Sequence, residues 1–599
     1  MRVTPEATSR APSARRGQSA RWTTFSFAGV RSLAAQTWAG HRLFVIVLTP
    51  AVLLRVDAEL GYRWQAWFND SFEYVQNTVH FTLDPTRVSG YSIWLKLLQP
   101  FHSYALITIL QHLMGLAVGV MVYALLRHRY QAPAWLATLA AVPVLYDGFQ
   151  IQLEHLIMAD VPFLFLLMLA ITLLLWDPAG PSTLQCAVIG GLLGLGAILR
   201  SVGLPLLAIF AVYMIIRRIN WRKIAATVLV CLVPVFGYAA MFYLEHGQFA
   251  MSDATGVFLY SRVMTFAECS KMSVPADELW LCTNVPPDQR PIAQAYIWTS
   301  ASPLDRFQPS KFSPVPNELA ENFAIRAIEA QPLGYAQAVW DDTWRVFGWK
   351  RVVFPQAATY DEYLFGYRSL PIPTWDGAHL GHYTSYAAEY AQGNPLTQVV
   401  APFATIIRGY QRYVWLPGTV YGLILLVGLG GMGLAWRRLG GDALLPWAIS
   451  LAMVVIPAAT AEFDYRYVLP AAPFACLAAV MAFSPGTAGR DWLRRLAEAM
   501  RRTARGPAES AAVTGSAGVT SSAGVTRSAG VTRSAGGTGS VGGTGSTGGA
   551  GGTGGAGSAG SAGSAEGSGV GGVSPAAGAP PASAVGSGDD KRNLAADGA

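Results

Sequence analysis

Residues 104–126 read YALITILQHLMGLAVGVMVYALL, an uncharged apolar run closed by Arg127 and Arg129. A helix needs roughly 20 mostly apolar residues to cross the hydrocarbon core of a bilayer. This run is long enough, and it recurs in kind. Working outward, nine more stretches read as spans: 38–58, 132–147, 160–176, 184–200, 202–216, 223–243, 413–435, 443–460 and 468–484. The 599-residue chain is 52% hydrophobic and only 13% charged, against about 25% charged for an average soluble domain. These observations predict an all-α polytopic membrane protein with about ten transmembrane helices. Arg55 and Asp57 cut into the end of the first span and are expected to reach the interface by snorkelling.

Basic residues orient the spans. Arg10, Arg15, Arg16, Arg21, Arg31 and Arg42 precede or open the first. Later clusters are Arg127 and Arg129; Arg217, Arg218, Arg222 and Lys223; Arg437 and Arg438; and Arg490, Arg494, Arg495, Arg501 and Arg502. With ten alternating spans all of them fall on one side, the cytoplasmic one by the positive-inside bias. Both termini are then cytoplasmic, in a plasma membrane. The formal net charge of +7 is accounted for by these clusters and does not imply a nucleic-acid partner. Residues 1–37 are polar and Arg-bearing, a disordered cytoplasmic arm rather than a cleavable signal peptide. Residues 485–505 form a basic cytoplasmic segment. From residue 506 to 599 the chain turns to Gly, Ala, Ser and Thr with a near-repeat (SAGVTS, SAGVTR, SAGVTR). Such a tail cannot bury enough apolar surface to offset its ordering entropy.

Three regions face the exterior: 59–103, the acidic turn 147–160, and 244–412, which is rich in Pro, Trp and Tyr and long enough for a mixed extracytoplasmic domain. Cys186, Cys231 and Cys476 lie in spans and read as packing residues. Cys269 and Cys282 share the long external region, where an oxidising exterior permits a disulfide. It would close a loop of about 14 residues, worth on the order of 3 kcal/mol in the chain-entropy picture. Two unpaired thiols are the other reading. No Cys/His spacing suggests a zinc site.

Four stretches carry candidate chemistry, all at the outer rim. The first is NDSFEY at 69–74. A carboxylate at the rim costs little to keep ionised, so Asp70 and Glu73 suit a base or an anchor for a hydroxyl. The bland alternative is an exposed acid at the start of a surface helix. The second is LEHLIMADVP at 153–162, holding Glu154, His155 and Asp160. Asp160 precedes Pro162, where a helix plausibly starts and favours an acid for its dipole alone; a functional second acid is the other reading. The third is Arg200 in GLGAILRSVGLPLL, a cation on the side where cations are disfavoured. Its planar fork suits a phosphate, the favoured reading, with snorkelling to the interface or an ion pair with an acid of this protein as the alternatives. The fourth is EFDYRYVLP at 462–470, where Arg466 is either paired with a neighbouring acid or a second phosphate contact.

NDSFEY, VSGYSIWLKLL, the Gln111–His112 span, EHLIMADVP, the Arg200 turn and EFDYRYVLP occur in that order. In this order they resemble the GT-C superfamily of polytopic glycosyltransferases, in a bacterial branch, over about residues 40–484. The resemblance implies transfer of a sugar from a polyprenyl-phosphate donor to an extracytoplasmic glycan, lipid or protein. By position it implies that Asp70 is the base or acceptor anchor of the first external loop, with Glu154 and Asp160 the acids of the second. Asp70 is followed by Ser71 where many members have two adjacent acids, so no cofactor is expected and a divalent metal is not supported. Arg200 and Arg466 suit a leaving lipid phosphate, which needs chiefly cationic stabilisation. A transporter or lipid flippase is the competing class, though the charges sit at the rim and no internal repeat of the transporter kind is evident.

Overall fold

A computed structural model describes residues 27–484 except 64, 308–309, 368–379 and 436–439, together with a few positions between 490 and 498. The tail from 506 and the arm before residue 27 lie outside the described residues. The regular structure is almost wholly helical. Its one two-stranded sheet among the described residues pairs Tyr62–Arg63 with Gln398–Val399. The first helix runs Phe27–Gly61, so the expected arm is cut back from residue 37 by a helix that starts earlier.

Among the described residues, three helices are long and apolar enough to cross a membrane: Tyr104–His128, Trp221–His246 and Gly441–Thr460. The count rises to five if two bent pairs are each one span. These are Ala134–Tyr146 with Gly148–His155, bent by 52°, and Phe403–Tyr413 with Gly418–Gly433, bent by 58°. Helix length therefore gives three to five spans where apolar composition alone suggested ten. The reason is where the helices stop. Asp160–Leu175, Thr183–Leu199, Gly203–Ile216 and Tyr465–Met481 are apolar but short. Gly203–Ile216 has 14 residues, which at about 1.5 Å per residue covers roughly 21 Å, short of the ~30 Å core.

The helices pack as membrane helices do. A Cβ on Gly190 would meet the Thr227 carbonyl oxygen at 2.2 Å, and one on Gly194 the Cys231 carbonyl oxygen at 2.4 Å. This small-xxx-small pair lets Thr183–Leu199 lie directly against Trp221–His246. The far side of Trp221–His246 is apolar and exposed, at Leu229, Val233, Phe236 and Leu244. A lipid-facing surface has this character.

Residues 244–412, read from sequence as an external domain, combine α-helices, short 3-10 turns, irregular chain and the strand Gln398–Val399. Val257, Tyr260, Leu281, Tyr296 and Phe323 build this region's own core. Cys269 and Cys282 are bonded to each other there, their Cα atoms 6.1 Å apart. Cys186, Cys231 and Cys476 are free and buried. The region is tied to the last inter-helix loop: Asp342 accepts from Arg262 at 2.7 Å and from the Phe463 amide at 3.2 Å.

Two backbone contacts set up the site. The Ala66 amide donates to the His155 carbonyl at 3.0 Å, and the Ile157 amide to the Ala66 carbonyl at 3.2 Å. They clamp the segment after the first helix onto the acidic turn 147–160. The segments 59–103 and 147–160 thus meet although about 90 residues separate them.

Candidate active site

The helix Asn69–His80 starts three residues past Ala66 of that clamp and carries Asp70 in its first turn. Asp70 is neither the cap nor exposed. Its Oδ1 is 2.7 Å from Arg87, and its Oδ2 accepts from Arg466. Arg87 bridges onward to Glu73 at 2.7 Å and faces Asp84 at 3.9 Å. Arg466 continues the chain to Asp464 at 3.2 Å, and Asp464 accepts from the Tyr363 hydroxyl. Glu362, next to Tyr363, accepts from the Asn69 amide at 3.0 Å.

Asp160 opens the helix Asp160–Leu175, as the sequence suggested, and is buried. Its Oδ1 accepts from Arg200, the residue just past the helix Thr183–Leu199. Tyr467 links the two halves. Its ring lies 5.0 Å from the Arg200 guanidinium and 5.3 Å from that of Arg466. The Phe68 ring lies 5.2 Å from Arg466 on another side. Two guanidinium groups are thus held near one aromatic ring, each loaded with a carboxylate.

Burial alone would push the Asp70 carboxyl up, but Arg466 and Arg87 outweigh it and hold Asp70 well below the usual carboxylate range. Glu73 goes the other way: burial raises it, Asp84 and Asp70 add repulsion, and Arg87 offsets only part. Burial also lifts Glu362 well above the usual range. One acid kept ionised beside others inclined to hold a proton is a common way for a site to divide acid and base roles.

Of the residues singled out from sequence, Asp70, Glu73, Asp160, Arg200 and Arg466 meet here. Glu154 does not share their partners. It is fully buried and bidentate with Arg55, at 2.9 Å on each oxygen, and 2.9 Å from His112 Nδ1. Arg55 therefore does not snorkel. Its remaining hydrogens go to the carbonyls of Leu145, Val144 and Ala51 at 2.6, 3.1 and 3.1 Å. The first two are carbonyls at the end of Ala134–Tyr146, left without helical partners by the bend there. An internal guanidinium is cheaper than exposed lone pairs at that depth.

Arg87 and Glu362 are members that the sequence reading passed over, while Tyr467, in EFDYRYVLP, reads from sequence as an ordinary interfacial anchor. Arg87 had a signal, since like Arg200 it falls in a segment that reads from sequence as external, where cations are disfavoured. Glu362 had none; it arrives from a segment 293 positions away from Asn69 in sequence.

No family model matches the chain, and no curated protein matches it. Among solved structures, it is similar to the oligosaccharyltransferase AglB from Archaeoglobus fulgidus in complex with an inhibitory peptide and a dolichol-phosphate, at 13% identity and a TM-score of 0.34. The Archaeoglobus fulgidus oligosaccharyltransferase tethered to an acceptor peptide containing the NVT sequon gives the same values, and its apo form 14% and 0.33. The match covers 74% of this chain in each case, but only 50–51% of theirs, so the chain spans about half the length of these structures. Likeness at this level carries no argument about activity; the site must carry it.

Proposed function

We propose that this protein is an integral membrane glycosyltransferase that moves a sugar from a polyprenyl-phosphate donor to an extracytoplasmic acceptor, with its termini in the cytoplasm of a bacterium. What supports the reading is one observation. Asp70, Asp160, Arg200 and Arg466, from four separate rim segments, join in one arrangement of ion pairs around Tyr467.

In this reading the acceptor hydroxyl oxygen bonds to the sugar's anomeric carbon as the bond to the phosphate oxygen breaks. The lipid phosphate leaves with both electrons of that bond, and the hydroxyl proton passes to a carboxylate. Arg200 and Arg466 exchange their carboxylates for phosphate oxygens, a swap between equivalent charge-assisted bonds. The exchange has a consequence for Asp70. While Arg466 holds it, Asp70 is ionised but a feeble proton acceptor. Once Arg466 turns to the phosphate, Asp70 loses one of its two cations and gains basicity. Donor binding thereby readies the anchor of the acceptor. A cavity of about 380 Å³ sets an apolar wall of Phe81, Leu83, Ile93, Met241 and Leu244 against a polar one of Asn77, Thr82, Ser89, Ser92 and Glu245, and its apolar wall suits part of an isoprenoid chain. It adjoins the cluster through Asn77, which donates to Asp84 at 3.2 Å.

The test is release of polyprenyl phosphate by purified protein, with donor affinity and melting temperature measured for Arg200→Lys and Arg200→Ala. Lys keeps the charge but loses the bidentate fork, so donor affinity should fall in the order wild type, Lys, Ala. If Arg200 serves only its ion pair with Asp160, both variants melt earlier and bind donor normally. Unchanged donor affinity in Arg200→Ala would refute the phosphate role. Lipid translocation without release of polyprenyl phosphate would favour the transporter class instead.

A further inference from the structure

Apart from the rim cluster, three potential ligands converge where the first external loop begins. Glu59 lies at the end of Phe27–Gly61, His112 on Tyr104–His128, and His155 closes Gly148–His155. His112 Nε2 and His155 Nδ1 stand 3.2 Å apart, and Glu59 Oε1 is 3.7 Å from each. Both histidines are buried.

The outward nitrogens fix the tautomers. His112 Nδ1 is 2.9 Å from the Glu154 carboxylate, which is already ion-paired with Arg55 and only accepts. His155 Nε2 is 2.7 Å from the Tyr62 carbonyl, which also only accepts. Each outward nitrogen must therefore carry its ring's proton. In the neutral rings the two inward nitrogens are bare lone pairs, facing each other and a carboxylate oxygen. Three electron-pair donors aimed at one point repel unless a positive charge lies between them.

A single extra proton would join the two rings, but it would leave Glu59 at 3.7 Å, too far for a hydrogen bond. A metal ion uses all three. Zinc–nitrogen and zinc–oxygen distances of about 2.0–2.2 Å give a tetrahedron with edges of roughly 3.3–3.6 Å, close to the spacings found. The rear of each imidazole is anchored on a carboxylate or a backbone carbonyl, the arrangement that orients metal-ligating histidines. We infer that Glu59, His112 and His155 form a binding site for a divalent transition metal of the zinc type, with one coordination position left open. Imidazole ligands favour such an ion over magnesium or calcium. Local sequence spacing gives no hint of it, because the ligands lie on three helices joined by contacts between remote segments, among them the Ala66 clamp, the Arg55–Glu154 pair and the Gln111 amide on the Glu154 and Leu156 carbonyls.

The test uses full-length, untagged protein in detergent, stripped with chelator, dialysed against zinc and desalted. Retained metal is measured by mass spectrometry and its ligands by zinc-edge X-ray absorption. Wild type should retain one zinc per chain, with two imidazoles and light oxygen or nitrogen ligands in its shell. Glu59→Gln and His155→Gln should each weaken retention by at least about tenfold, as even outer-shell changes do at metal sites. Wild-type protein that retains no zinc overturns the site, and so does a zinc shell lacking imidazole. Folded variants that hold zinc as tightly as wild type also overturn it. Should the variants not fold, the wild-type stoichiometry and spectrum decide alone.

Discussion

Asp70 shows how much a carboxylate's neighbours determine what it can do. Read from sequence it was a rim acid with water at hand; in the fold it is gripped by Arg87 and Arg466. The sign of its pH effect follows from that grip. Its native-state value is depressed, so it adds stability above its unfolded value of about 3.9, and that stability is lost as the pH falls from there towards the depressed value. Asp70→Asn keeps the volume but removes the charge. Its melting temperature should fall less steeply with acid than that of wild type below about pH 4, the range where the unfolded carboxyl titrates. The same variant should lose at least about 10²-fold in sugar transfer, the usual general-base contribution. Near-wild-type transfer by correctly inserted Asp70→Asn would remove Asp70 from the mechanism. Asp70, Asp160, Arg200 and Arg466 stood out because charge is rare in this chain, whereas Arg87 and Glu362 did not. Which acid pairs with which arginine was not legible, since partners such as Asp70 and Arg466 lie 396 positions apart.

Among the elements, the bend after Ala134–Tyr146 organises its surroundings. It frees the carbonyls of Val144 and Leu145, which Arg55 collects while also holding Glu154. Tyr104–His128 can pass this close only because position 115 is glycine. A Cβ there would lie 2.0 Å from Glu154 Oε1. Gly115→Ala should therefore break the buried pair and cost about 3–5 kcal/mol, the usual penalty for orphaning one member. Gly433→Ala is the control, because a Cβ at Gly433 meets nothing within 4 Å. A Gly115→Ala protein that melts with wild type would mean Glu154 has room to move and the pair matters little. The apolar periods that mark helices were readable, and helix starts such as Asp160 fell where Pro162 suggested. Helix lengths were less so. Hydropathy registers apolar content across turns such as that at Arg200, whereas a span must be one unbroken rod or a bent pair.

For the whole molecule, the described residues hold every group invoked in transfer and in metal binding, all between Glu59 and Tyr467. Residues 506–599 contribute a different kind of chain. Gly, Ala, Ser and Thr dominate it, and its few charges nearly balance: Arg527, Arg533, Lys591 and Arg592 against Glu509, Glu566, Asp589, Asp590 and Asp597. Such a segment has little apolar surface to bury against the cost of fixing its backbone, about 1–2 kcal/mol per residue. Near-balanced charge also gives it no strong pull towards anionic lipid. Deleting residues 506–599 should therefore leave membrane insertion unchanged and turnover within about a few-fold, the expectation from a composition with so little apolar surface to bury. Turnover and protein level should be measured together in the same membranes, because loss of protein alone would mimic loss of activity. A large fall in turnover at equal protein level would show that the tail folds onto the catalytic body or recruits a partner that transfer requires.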